Sequence, residues 1–555
     1  MRTFSRLPCC VMVAPQILVL FVWVRILSGQ LIKRKMTHVC ASSFVYYATI
    51  FLSSFLSKIR TEITKYSLPL PLEVSTYVFM KYCGLTFLLL FIFAGCQSPA
   101  PKPYGPIPTE QQVAWQQMEM NMFVHFGPNT FTGLEWGTGE EPEDIFNPTD
   151  LNCMQWVETA KKAGFKGIIL TAKHHDGFCL WPNPVSRHTV RECSWQDGKG
   201  DVLRELSDAC AKGGLAFGIY ISPWDRHDPH YGTAEYNQVF LQTLESALSH
   251  YGPIFEQWFD GACGEGPNGK KQEYDWHAFF QKVTELQPKA IMFSNIGPGC
   301  RWVGNEEGHA GETCWSTMTI DGFSPSHSPS EDTLNSGELH GRSWVPAETD
   351  ISLHKGWFYR DNEEPKSVEQ LLDIYYTSVG RNSLLLLNVP PDTRGQIAAK
   401  DSLRLMEFRA ALDHIFTNNM AQGATAKADN TRGWGTRFAA DNLLDSDYYS
   451  YWATDDEQKT ANIVISLPGP RTFNRVMLQE FIPLGQRISA FEVDIMDESG
   501  EWCTVSKGST IGYKRILRIP TCTSSKVRIR ITASEACPIL NGFGLYMDDI
   551  LDSTL

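Results

Sequence analysis

Residues 167–177 read GIILTAKHHDG: a continuously apolar run, Gly167–Lys173, closed at once by His174, His175, Asp176 and Gly177. An unbroken apolar run of this length is the signature of a strand buried on both faces, which implies a parallel sheet covered by helices. Runs of the same kind lie to either side: Met122–Gly127 (MFVHFG), Ala216–Ser222 (AFGIYIS), Ile254–Asp260 (IFEQWFD), Ala290–Asn295 (AIMFSN) and Ser383–Val389 (SLLLLNV). Weaker runs at Glu312–Thr317 and Trp344–Thr349 take the sixth and seventh places. Amphipathic stretches between them predict helices over Asp201–Gly213, Glu235–His250, Trp276–Leu286, Val368–Val379 and Lys400–Phe416. Another helix, carrying Trp156, Val157 and Ala160, is expected to be capped by the Asn147–Asp150 segment. Eight strands alternating with helices over 110–416 predict an α/β fold, a (β/α)8-like barrel. A doubly wound open sheet is the alternative; no GxGxxG follows an early strand to suggest a dinucleotide site.

In such a barrel the C-terminal ends of the strands converge on one face, and that is where chemistry is done. The polar residues of these strands gather there. His125 ends strand one, His174 and His175 end strand two, Tyr220 lies late in strand three, and Trp258 and Asp260 close strand four. Neighbouring residues of an extended strand point to opposite sides. His174 and His175 can therefore both face a ligand only if the strand stops before them. A metal set of His125, His174, His175 and Asp176 is a competing reading, but zinc spacing of the HExxH kind is absent.

Trp258-Phe259-Asp260-Gly261 presents a carboxylate at the end of an apolar strand, with a glycine leaving room beside it. Hydrolysis of a glycoside uses two carboxyl groups, about 5–5.5 Å apart where the anomeric configuration is retained and about 6.5–9.5 Å where it is inverted. Asp260 is a candidate nucleophile. Its partner is sought in RWVGNEEGHAGETCW, which offers Glu306, Glu307 and Glu312 on a loop bounded by Gly304 and Gly308.

The rest of the 555-residue chain divides clearly. The net charge is −13, yet residues 1–95 carry ten Lys/Arg against two Asp/Glu, so the remainder is strongly acidic and an unlikely match for nucleic acid or anionic membrane. From Met80, MKYCGLTFLLLFIFAGCQSPAPKP has the layout of a bacterial lipoprotein signal peptide, with Cys96 as the lipidated residue. Residues 1–79 then read as an over-extended start, and a multi-helix membrane anchor is the competing reading. Residues 96–109 are a Pro-rich tether. Of 15 Cys, five fall at or before Cys96; the others show no CxxC or Cys/His metal spacing and read as buried thiols with at most one or two bridges. After residue 416 the period changes to two. Ile463–Leu467, Val476–Glu480, Phe491–Ile495 and Val527–Ile531 predict an all-β sandwich over 417–555.

FVHFG, EWG, AGFKGIILTAKHHDGFCLWP, GIYISPWD, EQWFDGA and RWVGNEEG, in this order over roughly 110–416, resemble the family 29 α-L-fucosidases. The resemblance implies a (β/α)8-like barrel that hydrolyses terminal α-L-fucose with retention and without a cofactor. It implies Asp260 as nucleophile, and His125, Glu135, Trp136, His174, His175, Tyr220, Trp258 and Trp357 as the residues that bind fucose. RWVGNEEG is similar to the branch that cleaves α1,3- and α1,4-fucosyl links in branched, Lewis-type glycans, which implies Glu306 as acid/base; Glu307 is the alternative by a shift of one residue. The C-terminal segments GATAKADN, NLLDSDYYSYWAT and ASEACPILNGFGLY resemble a discoidin-like (galactose-binding-like) domain. That likeness leaves open a structural Ca²⁺ near Asp441–Asp447, a sugar site, or a plain packing partner. The expected partners are fucosylated oligosaccharides or glycoconjugates, with no nucleic acid and with membrane contact only through a lipid anchor. The expected location is the bacterial cell envelope. Broad-specificity hydrolysis of α1,2 or α1,6 links and a non-catalytic fucose-binding protein are the other readings.

Overall fold

The computed structural model describes residues 98–433 and 435–551, all within the compact unit Ser98–Leu555. Cys96 and the segment before it lie outside the described residues. Eight parallel strands close into a barrel: β1 (Met120–Val124), β2 (Gly167–Lys173), β3 (Ala216–Ile221), β4 (Glu256–Trp258), β5 (Ile291–Ser294), β6 (Cys300–Trp302), β9 (Ala347–Ser352) and β10 (Ser383–Asn388). Between β6 and β9, the short strands β7 (Thr317–Met318) and β8 (Ser343–Trp344) pair with each other outside the barrel. The helices Cys153–Ala163, Val202–Gly213, Glu235–Leu248, Trp276–Leu286, Val368–Thr377 and Ala399–Phe416 separate the strands.

Alternation along each strand sorts the core into two parts. Phe123, Ile169, Tyr220, Trp258, Phe293, Cys300, Leu384 and Leu386 pack together inside the barrel. Their neighbours Met122, Val124, Ile168, Leu170, Ile219, Ile221, Leu385 and Leu387 belong to the larger cluster shared with the helices. The first helix of the described residues, α1 (Glu110–Gln116), is fastened by a capping box at Thr109 and sends Trp115 into the interior cluster. Its Gln112 Nε2 donates to the carbonyls of Gly299 and Trp344, 2.8 and 2.9 Å.

Three sequence expectations are corrected. The sixth barrel strand is Cys300–Trp302 and not Glu312–Thr317; it follows β5 with only residues 295–299 between, and no helix. The seventh place in the barrel is held by Ala347–Ser352, not Trp344–Thr349, because Trp344 belongs to the outer ladder. The cap of Cys153–Ala163 is Asn152, whose Oδ1 accepts from the Gln155 amide at 3.0 Å, and not the Asn147–Asp150 segment. The Pro-rich stretch also does more than tether: the Tyr104 amide donates to Leu484 O at 3.0 Å and Arg432 Nε to Pro99 O at 2.6 Å, so residues 98–109 run along the second domain.

That domain is an antiparallel β-sandwich in the order β12 (Trp452–Ala453), β17 (Ile539–Tyr546), β13 (Ala461–Glu480), β16 (Arg515–Ser534), β14 (Ile488–Met496), β15 (Trp502–Gly508), with β11 (Thr425–Ala428) added to β13. The strands expected at Ile463–Leu467 and Val476–Glu480 are two ends of one long strand, β13, which shifts register between Ser466 and Arg471 and again between Phe473 and Arg475. The ten described cysteines are all free thiols. Asp441, Asp445 and Asp447 turn their carboxylates to backbone amides of Ala426, Asp447 and Tyr449, and they belong to neither group of converging metal-type ligands among the described residues.

Barrel and sandwich share a polar seam. Asn382, in a left-handed conformation just before β10, donates to Cys314 O (2.9 Å) and Ser316 Oγ (3.1 Å) and accepts from the Tyr513 amide (2.7 Å). Gln486 Oε1 accepts from the Ser316 amide at 2.7 Å, and Thr510 Oγ1 from the Cys314 amide at 2.9 Å. Asn tolerates this backbone region where alanine does not, and its amide serves both domains. Asn382→Ala is therefore expected to destabilise the protein by about 1–3 kcal/mol, through unpaired buried groups and backbone strain. It is checked by thermal unfolding, and an unchanged Tm contradicts the seam's importance.

Candidate functional site

β2 ends at Lys173, so the backbone is free to turn before the two histidines. The condition for both to face one pocket is thereby met: the His174 and His175 rings lie 4.2 Å apart, and His174 stacks on Tyr220 at 5.8 Å and 18°. His125 follows β1 and lies 5.6 Å from His174 and 4.9 Å from Trp357. The three imidazoles are buried. Asn388, at the end of β10, fixes the first of them. Its Oδ1 can only accept, so His125 Nδ1 carries the proton of their 2.9 Å bond, and Nε2 is left for the pocket. The Ser222 hydroxyl donates to Trp224 O at 3.0 Å, so His175 Nδ1 donates to Ser222 Oγ at 2.8 Å. His174 Nδ1 is buried and finds no hydrogen-bond partner among the described residues. Such a group calls for a partner that the described residues do not supply.

Asp260 follows β4 and accepts on both oxygens: Oδ2 from the Tyr220 hydroxyl at 3.0 Å, Oδ1 from the Ala262 amide at 2.7 Å. His175 Nε2 stands 3.7 Å from the same Oδ2, beyond hydrogen-bond length. Gly261 is required by close approach, since a Cβ there would lie 2.3 Å from Pro325 O. Burial pushes His125 down to about 3 and His175 to about 4, against the pull of Asp260 on the latter, and lowers His174 well below the ordinary range. The three rings are therefore neutral at pH 7, as hydrogen-bonding groups and not as cations.

Glu306 approaches from the loop after β6. Trp357 Nε1 donates to its Oε2 at 3.3 Å. Burial first, then the negative charges of Asp260 and Glu135, raise the Glu306 carboxyl above the ordinary range, against the Trp357 hydrogen bond. Glu307 turns outward, four-fifths exposed, with its carboxylate 3.8 Å from His309. Glu312 lies at the seam, exposed and paired with Arg381 at 3.2 Å. Of the three acids in that loop, Glu306 alone shares the electrostatic environment of Asp260. Glu135 is a brace: its Oε2 accepts from the Trp357 amide at 3.1 Å and its Oε1 from Arg360 at 2.6 Å. Trp136 is exposed, edge-on to Trp224 at 5.8 Å and to His175 at 6.4 Å. Trp258 stacks on Phe293 at 3.9 Å and 8° and tilts against Tyr220 at 5.2 Å. These contacts link all ten residues named from the sequence for catalysis and sugar binding in one network at the C-terminal face.

Four participants were missed. Asn388 obeys the rule that found the histidines, a polar residue at a strand's end, and could have been found by it. Asp350 on β9 accepts from Trp302 Nε1 at 2.8 Å; burial, with the charges of Glu306 and Asp260, holds it well above the carboxylate range. Trp224 and Arg360 lie in loops, where spacing carries no signal. Among the described residues, the converging metal-type groups are Glu143/His188/His227 and Glu256/Cys300/Glu348, so the set His125, His174, His175 and Asp176 does not form one. A cavity of about 390 Å³ beside Glu119, Tyr375, Arg409, Lys514 and Tyr546 is lined by none of the site residues.

Comparison with known proteins places this geometry. Residues 102–413 match the Alpha-L-fucosidase family model, and residues 423–544 match the F5/8 type C domain. Alpha-L-fucosidase 1 of Arabidopsis thaliana is 43% identical over 82% of this chain and 90% of its own length. A Ruminococcus gnavus GH29 fucosidase solved in complex with fucose is 32% identical, with a TM-score of 0.75 over 82% of this chain and 98% of that one. A glycoside hydrolase 29 family member from an unknown rumen bacterium is 38% identical, with a TM-score of 0.71 over 82% of this chain and 80% of that one.

The neutral imidazoles give a direct check. The ring signals of His125 and His175, assigned by single substitution and followed by NMR, are expected to keep neutral-ring shifts from pH 8 down to pH 5. A titration midpoint above pH 6 at either ring contradicts their desolvation.

Proposed function

The chain belongs to the alpha-L-fucosidase family, and on that premise we propose that it removes terminal α-L-fucose with retention of configuration, from α1,3- and α1,4-linked positions of branched, Lewis-type glycans. It is a glycoside hydrolase, an α-L-fucosidase. The roles assigned to its residues are part of the proposal. The observation that carries them is the contrast between two carboxyl groups: Glu306 is pushed toward its protonated form by burial and by the charge of Asp260, whereas Asp260 accepts two hydrogen bonds. Retaining hydrolysis asks for that pairing of an acid with a nucleophile.

In the first step Glu306 gives its proton to the glycosidic oxygen as the bond from that oxygen to C1 breaks. An Asp260 oxygen forms the new bond to C1, giving a fucosyl-enzyme ester. In the second step Glu306, now ionised, takes a proton from water, whose oxygen displaces Asp260 from C1. Tyr220 and the neutral rings of His125, His174 and His175 supply hydrogen bonds to sugar hydroxyls. Trp258 and Trp357 offer flat apolar walls to the faces of the deoxy-sugar that carry C–H groups and the methyl. None of these steps calls for a metal. The linkage preference draws on the RWVGNEEG loop. Lipidation at Cys96, and with it export to the bacterial cell envelope, is proposed from the leader motif alone; Cys96→Ser is expected to move the protein from the membrane to the soluble fraction.

Asp260→Ala is expected to lower hydrolysis by several orders of magnitude, because the nucleophile is gone. Glu306→Ala is expected to slow substrates with poor leaving groups far more than activated aryl fucosides, with azide restoring the latter. The same behaviour in Glu307→Ala instead, or an undiminished rate in Asp260→Ala, overturns the assignment. Faster release from α1,2-linked than from branched α1,3/α1,4-linked glycans overturns the linkage proposal.

A further inference from the structure

Two carboxyl groups lie wholly buried inside the barrel, away from the proposed reaction. Glu256 on β4 and Glu348 on β9, with Cys300 of β6, bring their polar atoms within 4.8 Å of one another. Each acid holds an indole. Glu256 Oε2 accepts from Trp115 Nε1 of α1 at 2.7 Å, and Glu348 Oε1 accepts from Trp258 Nε1 at 2.8 Å. Cys300 Sγ is 3.8 Å from Glu256 Oε1, and the Glu348 and Glu256 side chains hydrogen-bond to each other. Burial raises both carboxyls, Glu348 further through the charge of Glu256. Two adjacent buried acids with so few donors cannot both be ionised, so a proton lies between them.

The consequence falls on Trp258. Its ring lies flat on Phe293, at 3.9 Å and 8°. Such stacking fixes the plane of an indole but resists sliding or turning within that plane only weakly. The bond from Nε1 to Glu348 sets that remaining direction. Tyr220 packs against the same indole at 5.2 Å, and its hydroxyl bonds Asp260 at 3.0 Å. A turn of the indole therefore reaches the pocket wall and the carboxylate together.

We propose that Glu348 is a positioning residue for fucose hydrolysis: with Glu256 as its partner, it fixes the in-plane orientation of Trp258 and thereby the wall beside Asp260. This rests on the reading of the pocket as the fucose site.

The test uses the full chain, calorimetric binding of L-fucose, and the indole N–H signals of protein labelled with ¹⁵N-tryptophan. Glu348→Gln keeps an acceptor oxygen for Trp258 and offers its amide N–H to Glu256 in place of the proton. It is expected to bind L-fucose within about threefold of the parent. Glu348→Leu keeps the bulk and removes the acceptor, and is expected to weaken L-fucose binding by roughly tenfold or more. In a Trp258→Phe background the same Leu substitution is expected to cost less than about twofold, because the group it acts through is gone. The Trp258 indole signal, identified by its loss in Trp258→Phe, should move in Glu348→Leu and hold in Glu348→Gln.

A Gln variant as weak as the Leu variant, or a full tenfold loss repeated in Trp258→Phe, overturns the proposal. If Glu348→Leu does not fold, the Gln affinity and its indole signal decide alone. A parent protein that neither binds L-fucose nor cleaves fucosides overturns the functional reading instead; the indole comparison still reads the link between Glu348 and Trp258.

Discussion

One carboxylate, that of Asp260, is held fast beside uncharged rings at the end of β4, and the rest of the site is built around it. Asp260 is fixed on both oxygens, by a tyrosine hydroxyl and by the amide two residues on. Around it, desolvation keeps His125, His174 and His175 neutral. A cation in their place would lower the basicity of the Asp260 carboxylate and bind anions. The partners of His125 and His175 fix which nitrogen of each ring donates, and a neutral ring offers one donor and one acceptor. The same low-dielectric setting, with the charges of Asp260 and Glu135, raises the Glu306 carboxyl above its ordinary range.

Much of this could be read in the chain, and what could not has a physical cause. The strands at 167–173, 216–221 and 383–388 were legible because both their faces are buried, so nothing interrupts the apolar run. The sixth strand was hidden by Arg301. A buried arginine reads as surface, yet its Nε donates to Leu334 O at 2.8 Å and its fork also reaches Val345 O, so carbonyls satisfy it without an acid. The strand Ala347–Ser352 reads AETDIS, two-thirds polar, and its Glu348 and Asp350 each grip an indole inside the barrel. Pattern reading assigns polar residues to solvent, so a barrel interior that holds its tryptophans with acids is invisible to it. Asp260 stood out because it ends an apolar run and is followed by glycine, whereas Glu306 was one of three acids in a glycine-bounded loop and only the family resemblance chose it. Which of Glu306 and Glu307 turns inward is a matter of loop geometry.

The sandwich has a part in this economy of placement. Thr510, Gln486 and Asn382 tie residues 314–316 at the seam, and Arg515 reaches Glu312 O. The segment Glu312–Thr317 is the stretch that the sequence suggested as a barrel strand. It is instead a strap between the domains, downstream of the turn that carries Glu306. The turn itself is held from the barrel side, by Thr377 on Gly308 O at 3.1 Å and by Asn335 on Val303 O at 3.2 Å. The loop that carries Glu306 is thus held from the barrel side at residues 303 and 308 and from the sandwich side from residue 312 onward.

The most direct test of the central claim is to trap the covalent intermediate. A 2-deoxy-2-fluoro-α-L-fucosyl donor with a good leaving group forms the ester quickly enough to accumulate, because fluorine at C2 disfavours the positive charge that its breakdown needs. Mass spectrometry of the digested protein is predicted to find one fluorofucosyl group, on the peptide that contains Asp260. A label on Glu306, on Asp350 or on no carboxyl at all would contradict the account.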